Sequence, residues 1–146
     1  MTTVSKHGIR RNLSPAGRTG QSRGVAAAEL AVCLPIVVLL VVATIEACSA
    51  VFLKQSLTAA AYEGVRTALV EGSTETTIRL KCEQILGDRR IEGGVVTVQP
   101  ADVASLQPGE FVDVTVSAPC AVNSVVPASF YRGKTLSATA SMMIEN

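Results

Sequence analysis

A chain of 146 residues has room for one compact domain plus a membrane segment, and two full globular domains would be crowded. With 3% aromatic residues and no Trp, any core must be built from Val, Ile, Leu and Ala. The formal net charge of +1 hides an asymmetry: residues 1–24 carry Lys6, Arg10, Arg11, Arg18 and Arg23 with no acid, so the remainder is net acidic and faces different surroundings.

Residues 1–24 hold two basic clusters among Gly, Ser, Thr, Asn and Pro15, with no hydrophobic periodicity, and predict a disordered leader. No aromatic side chains interleave these charges for base stacking, so a nucleic-acid arm is disfavoured. From Leu30 to Ile45 sixteen consecutive residues are uncharged, about 24 Å of helix at 1.5 Å per residue. With their apolar flanks they predict a single transmembrane helix over 25–53. The positive flank precedes it, which places the N-terminus in the cytoplasm and the rest outside the cytoplasmic membrane. A removable secretory signal competes with this reading, with Ala47-Cys48-Ser49 as cleavage site or Cys48 as a lipidated cysteine. Glu46, the long apolar run and the long leader stand against it.

Pro35 removes the backbone bond to the carbonyl of Ala31 and predicts a kink. No Gly or Pro occurs from Ile36 to Tyr62, so the helix should continue as an amphipathic extension over 54–71. There Leu53, Leu57, Ala60, Ala61, Gly64, Val65, Ala68 and Leu69 recur at three- and four-residue spacing, opposite Lys54, Gln55, Thr58, Tyr62, Glu63 and Arg66. Ala60, Gly64 and Ala68 form a ridge of small residues that admits a close backbone. It fits equally the protein's own domain or a neighbouring subunit.

Residues 72–146 read as a small α+β domain. Ser73 or Thr74 caps a helix with Glu75 in its first turn; Ile78, Cys82, Ile85 and Leu86 form its apolar side, and Gly87 closes it. The period then changes to two: Val96 and Val98 share a face in one strand, and Val112, Val114 and Val116 in a second. Gln107-Pro108-Gly109-Glu110 makes the turn before the second strand. In the last strand Leu136, Ala138, Ala140, Met142 and Ile144 alternate with polar neighbours. Three antiparallel strands under one helix follow; the connection 118–134, with Pro119 and Pro127, has no legible form.

Enzymatic chemistry lacks its parts. The one His is His7, in the leader, so no His triad or His-containing metal site can form in the outer domain. No Gly-rich phosphate loop or paired carboxylates stand out, and the four cysteines lack zinc spacing. Neither catalysis, a cofactor, a metal nor a small-molecule substrate is expected. Cys82 and Cys120 fall outside the cytoplasm in this topology, where a disulfide can form; the alternative is two buried thiols. Cys33 and Cys48 lie in the span, where packing is their expected role.

Glu29 is the costly residue. A charge at the bilayer centre carries a penalty of about 2.5–3.5 kcal/mol, less near an end, and marks a functional position by default. Snorkelling to the headgroups and the helix N-terminal dipole is the bland alternative. Arg23-Gly24 followed by Val25-Ala26-Ala27-Ala28-Glu29 resembles a type IV prepilin processing site. That resemblance implies cleavage between Gly24 and Val25 by a prepilin peptidase, a new ammonium at Val25, and Glu29 pairing with such an ammonium on a neighbouring subunit so that assembly sets register. "RGVAAAELAVCLPIVVLLVVATIEA" and "AAAYEGVRTALVEG" are similar to the opening of TadE-like proteins, pseudopilins of the tight-adherence Flp pilus. The resemblance covers about Arg23 to Gly72. It implies a pilin-like structural part in the inner membrane, with other pseudopilins and pilus assembly components as partners. The competing class is a single-pass membrane-anchored binding module that no prepilin peptidase processes.

Overall fold

A computed structural model describes residues 19–125, 131 and 133–145, with side chains from Gly24 onward. The leader as far as residue 18, and Pro127 in the long connection, lie outside the described residues. The chain divides into two compact units, Met1–Val38 and Leu39–Asn146, and the first helix, α1 (Thr19–Ala68), runs through both.

In the first unit α1 starts at Thr19, so the last residues of the expected disordered leader are helical instead. Once a helix is nucleated, each further turn adds backbone bonds at low entropic cost, and the apolar run supplies the nucleus. Pro35 lies within α1, and every residue from Gly24 to Val41 is exposed although most are large and apolar. Among the described residues one helix is thus long and apolar enough to cross a membrane.

In the second unit the exposure of α1 becomes periodic. Leu53, Leu57, Ala60, Ala61, Val65 and Ala68 are buried, while Lys54, Gln55, Thr58, Tyr62 and Arg66 are exposed, the 3.6-residue stripe expected of an amphipathic helix. Hydroxyls of this stretch bond back to carbonyls four residues earlier, Thr44 to Leu40 at 2.8 Å and Ser56 to Phe52 at 2.9 Å. The helix ends at Ala68, three residues before the expected limit, and Leu69 is exposed rather than buried. Ser73 ties off the end: its hydroxyl donates to the carbonyl of Thr67 at 2.6 Å, and Gly72 takes φ +78°.

Helix α2 (Glu75–Asp88) is capped by Thr74, whose hydroxyl accepts the N–H of Thr77 at 3.3 Å. It buries Ile78, Cys82 and Leu86 and continues through Gly87, which does not close it. The reversal falls instead on Arg90, at φ +55°.

Strands β1 (Val95–Gln99), β2 (Phe111–Pro119) and β3 (Thr135–Met143) form an antiparallel sheet in the order β1-β2-β3. The central strand buries Val112, Val114, Val116 and Ala118 on one face. Their partners Val96, Val98 and Ala138 share it, and the core is this face against α1 and α2. On the other face Thr115 and Thr139 are directly paired, hydroxyl to hydroxyl at 2.8 Å. The turn Gln107–Glu110 has Pro108 second and Gly109 third at φ +95°, closed by the Glu110 N–H to Gln107 carbonyl bond at 3.0 Å, as a type II turn requires.

Candidate functional site

The residues singled out in the sequence fall into two sets, one in each unit. In the first, Gly24, Val25, Glu29 and Pro35 all lie on exposed helix. Around Glu29 the exposed neighbours are apolar, including Val25, Leu30 and Val32. Among the described residues Glu29 has no hydrogen-bond or ion-pair partner, whereas Glu63 and Glu75 pair with arginines on their own helices.

In the second unit the ridge Ala60, Gly64 and Ala68 is covered by the protein's own fold. Ala60 and Ala68 are buried, and a Cβ built on Gly64 would overlap Cys82 Sγ and stand 3.1 Å from Val114 Cγ1. The space beside Gly64 is therefore filled by side chains of α2 and β2.

The disulfide expected between Cys82 and Cys120 is not formed, and both are buried free thiols. Cys82 Sγ packs on Gly64 near Val114 and donates to the carbonyl of Ala60 at 3.4 Å. Cys120 lies six residues beyond Val114, about 20 Å along an extended strand, whereas a bridge needs Cα atoms within about 6.8 Å. Burial pushes the Cys82 thiol up to about 11, aided by the nearby Glu83 carboxylate. Cys33 and Cys48 are exposed thiols on α1. Among the described residues no group of three His, Cys, Asp or Glu side chains is placed to hold a metal ion.

One functional candidate was missed. Glu46 appeared in the sequence only as the acid ending the apolar run, yet it is 2% exposed. Its Oε1 accepts the N–H of Tyr131 at 3.1 Å, 85 residues away, while Oε2 is buried and has no hydrogen-bond partner among the described residues. Val42 and Ala43, one turn earlier, are the first half-buried residues of α1, so Glu46 marks where the domain closes on the helix. The signal for it was present: an acid inside a membrane-length helix, with no other charged side chain between Glu29 and Lys54, is rarely idle.

Residues 24–66 match the family model described as TadE-like protein, 43 of the 146 residues. The match begins at the glycine of the expected processing site and takes in Glu29, Glu46 and the Glu-Gly-Val-Arg stretch at 63–66, so the resemblance read from the sequence holds over that segment. No curated protein and no solved structure matches the chain.

Proposed function

We propose that this protein is a minor pseudopilin of the TadE-like kind, a structural component in assembling a Tad (Flp-type) pilus or a related secretion apparatus. Its N-terminal helix crosses the cytoplasmic membrane once, with the leader inside and the α+β domain outside. A prepilin peptidase cuts between Gly24 and Val25, and the ammonium released at Val25 of one subunit meets Glu29 of another. Because that carboxylate is exposed on an apolar helix, pairing removes a charge from lipid at the moment of assembly and fixes the axial offset of neighbouring helices. The protein performs no catalytic step in this reading; its partners are the peptidase, sister pseudopilins and other assembly components.

One observation carries the reading: the family match starts at Gly24, and the acid five residues on is exposed and unpartnered among the described residues. N-terminal sequencing of the mature protein is the direct test. A start at Val25 is expected. A start at Met1 removes the mechanism, and a start at Ser49 or Ala50 makes the protein an exported soluble domain. Glu29→Ala should then insert normally yet fail to co-purify with sister pseudopilins; ordinary assembly of that variant leaves only snorkelling.

A further inference from the structure

Beside α1, at the level of Thr44 to Phe52, lies an open groove of about 680 Å³. Its floor is the exposed, largely apolar side of the helix, with Ile45 and Phe52; its wall is Arg89 and Arg90 at the end of α2 and the turn that carries Val122 and Val125 after β2. We propose that this groove seats an anionic phospholipid of the membrane that α1 crosses, its phosphodiester on Arg89 and Arg90 and its acyl chain passing Ile45 into the bilayer. The inference rests on the membrane-spanning part of the proposed function and not on leader cleavage.

Depth is the first argument. The exposed apolar run of α1 reaches Val41, and Thr44 lies three residues, about 4.5 Å, further along the axis. From Thr44 to Phe52 is about 12 Å more, against roughly 5–7 Å of headgroup region on each side of a hydrocarbon core. The near end of the groove, at Thr44 and Ile45, therefore lies at headgroup depth, and its far end at Phe52 stands beyond it.

Composition is the second. Val125 is 81% exposed and Phe52 52%, side by side with two guanidinium groups. Apolar side chains beside arginines suit the interface between oil and water, where each finds its own medium. Neither Arg89 nor Arg90 has a salt-bridge partner among the described residues, whereas Arg66 and Arg79 do. One carboxylate, Glu92, lines the same groove, which leaves a net charge of about one positive unit. Arg90 also holds φ +55°, a conformation that costs a non-glycine residue about 1–2 kcal/mol, so the position carries a guanidinium at the expense of backbone strain.

Charge decides the occupant. A second copy's α1 would fit the apolar floor, but between Leu39 and Leu53 that helix has a single acid, Glu46, which is buried in its own domain. It offers nothing to two arginines. A phosphodiester does, and guanidinium groups bind it with paired hydrogen bonds.

The protein contains no Trp, so Val125→Trp installs a single indole, excited apart from the two tyrosines, at the groove. The full chain is reconstituted in nanodiscs of phosphatidylcholine with 30% phosphatidylglycerol, with brominated acyl chains on one lipid or the other at equal bromine content. We expect the brominated phosphatidylglycerol to quench about fivefold more effectively, the enrichment that one net basic charge near an anionic surface confers. Arg89→Gln with Arg90→Gln should bring the ratio to one or below, because Glu92 then leaves the groove net negative. Equal quenching by both lipids, no quenching at all, or a ratio indifferent to the double substitution overturns the proposal. Val38→Trp, within the span, should be quenched alike by both lipids; if it is not quenched, the membrane-spanning reading itself falls, and the lipid site with it.

Discussion

Gly64→Ala places one methyl group at the tightest point of the core. Ala is favoured over Gly in a helix by about 1 kcal/mol, so on propensity alone the variant should be more stable. Space argues the other way: the new Cβ overlaps Cys82 Sγ and lies 3.1 Å from Val114 Cγ1, with Cys82 and Val114 both fully buried. Overfilling a packed core costs about 1–3 kcal/mol, so the propensity gain is cancelled and the net expectation is a loss of up to about 2 kcal/mol. Cys82→Ala alone should cost about 1–2 kcal/mol through the cavity it leaves. In the double variant the methyl of position 64 occupies the space of the missing sulfur, so the two losses should not add; a coupling of about 1–2 kcal/mol is expected. Urea unfolding of the full chain in detergent, followed by alkylation of the buried Cys120, reads all four states without the baseline of the membrane helix. A Gly64→Ala variant stabilised by the full propensity gain of about 1 kcal/mol, or single effects that simply add, would refute the contact and return the small-residue ridge to a partner outside the chain.

Three other outcomes follow from the same structure. Glu46→Ala removes the acceptor for the Tyr131 N–H and should lower stability by about 1–3 kcal/mol, exposing the 118–134 connection to limited proteolysis. Glu46→Gln keeps an oxygen for that bond and should be close to neutral; equal sensitivity of both variants would mean that charge, not the hydrogen bond, matters there. The Cys82 thiol, pushed up to about 11, binds its proton more tightly in the folded chain than in the unfolded one, so stability should be flat below about pH 9 and fall as pH rises towards 11. Cys82→Ala should remove that alkaline decline in urea titrations at stepped pH. Thr74→Ala deletes the cap of α2 and should cost about 1 kcal/mol, whereas Thr74→Ser should not, by the same unfolding measurement.

Much of the fold was legible because its signals were local. Alternating Val and Ala residues gave the strand faces, Pro108-Gly109 gave the turn, and Thr74 with Glu75 gave the start of α2. The misreadings came where local chemistry yields to tertiary packing. Gly87 looked like a helix stop, but α2 ran on and the reversal passed to Arg90, where N–H bonds from Arg90 to Gly87 and from Ile91 to Leu86, both at 2.9 Å, close the end of the helix. Leu69 continued the apolar period but stands beyond the end of α1, where it is exposed. The Cys82–Cys120 pairing followed from compartment alone, and compartment says nothing of distance. Glu46 was hidden for a related reason: its partner is a backbone N–H in the connection that had no periodicity to read.

The two acids of α1 therefore meet different physics on one helix. Glu46 is covered by the chain itself, because the domain folds over it and a backbone N–H from Tyr131 reaches it. Seventeen residues earlier Glu29 remains on the exposed apolar surface. A helix that covers one acid and leaves the other bare has its unsatisfied charge at the end where the proposed cut would supply an ammonium. An assembly that uses that charge should tolerate Glu29→Asp poorly, since shortening the side chain by one methylene moves the carboxylate about 1.5 Å while keeping its charge. Co-purification of sister subunits with Glu29→Asp at parental levels would mean that charge alone suffices, and that register is set elsewhere along the helix.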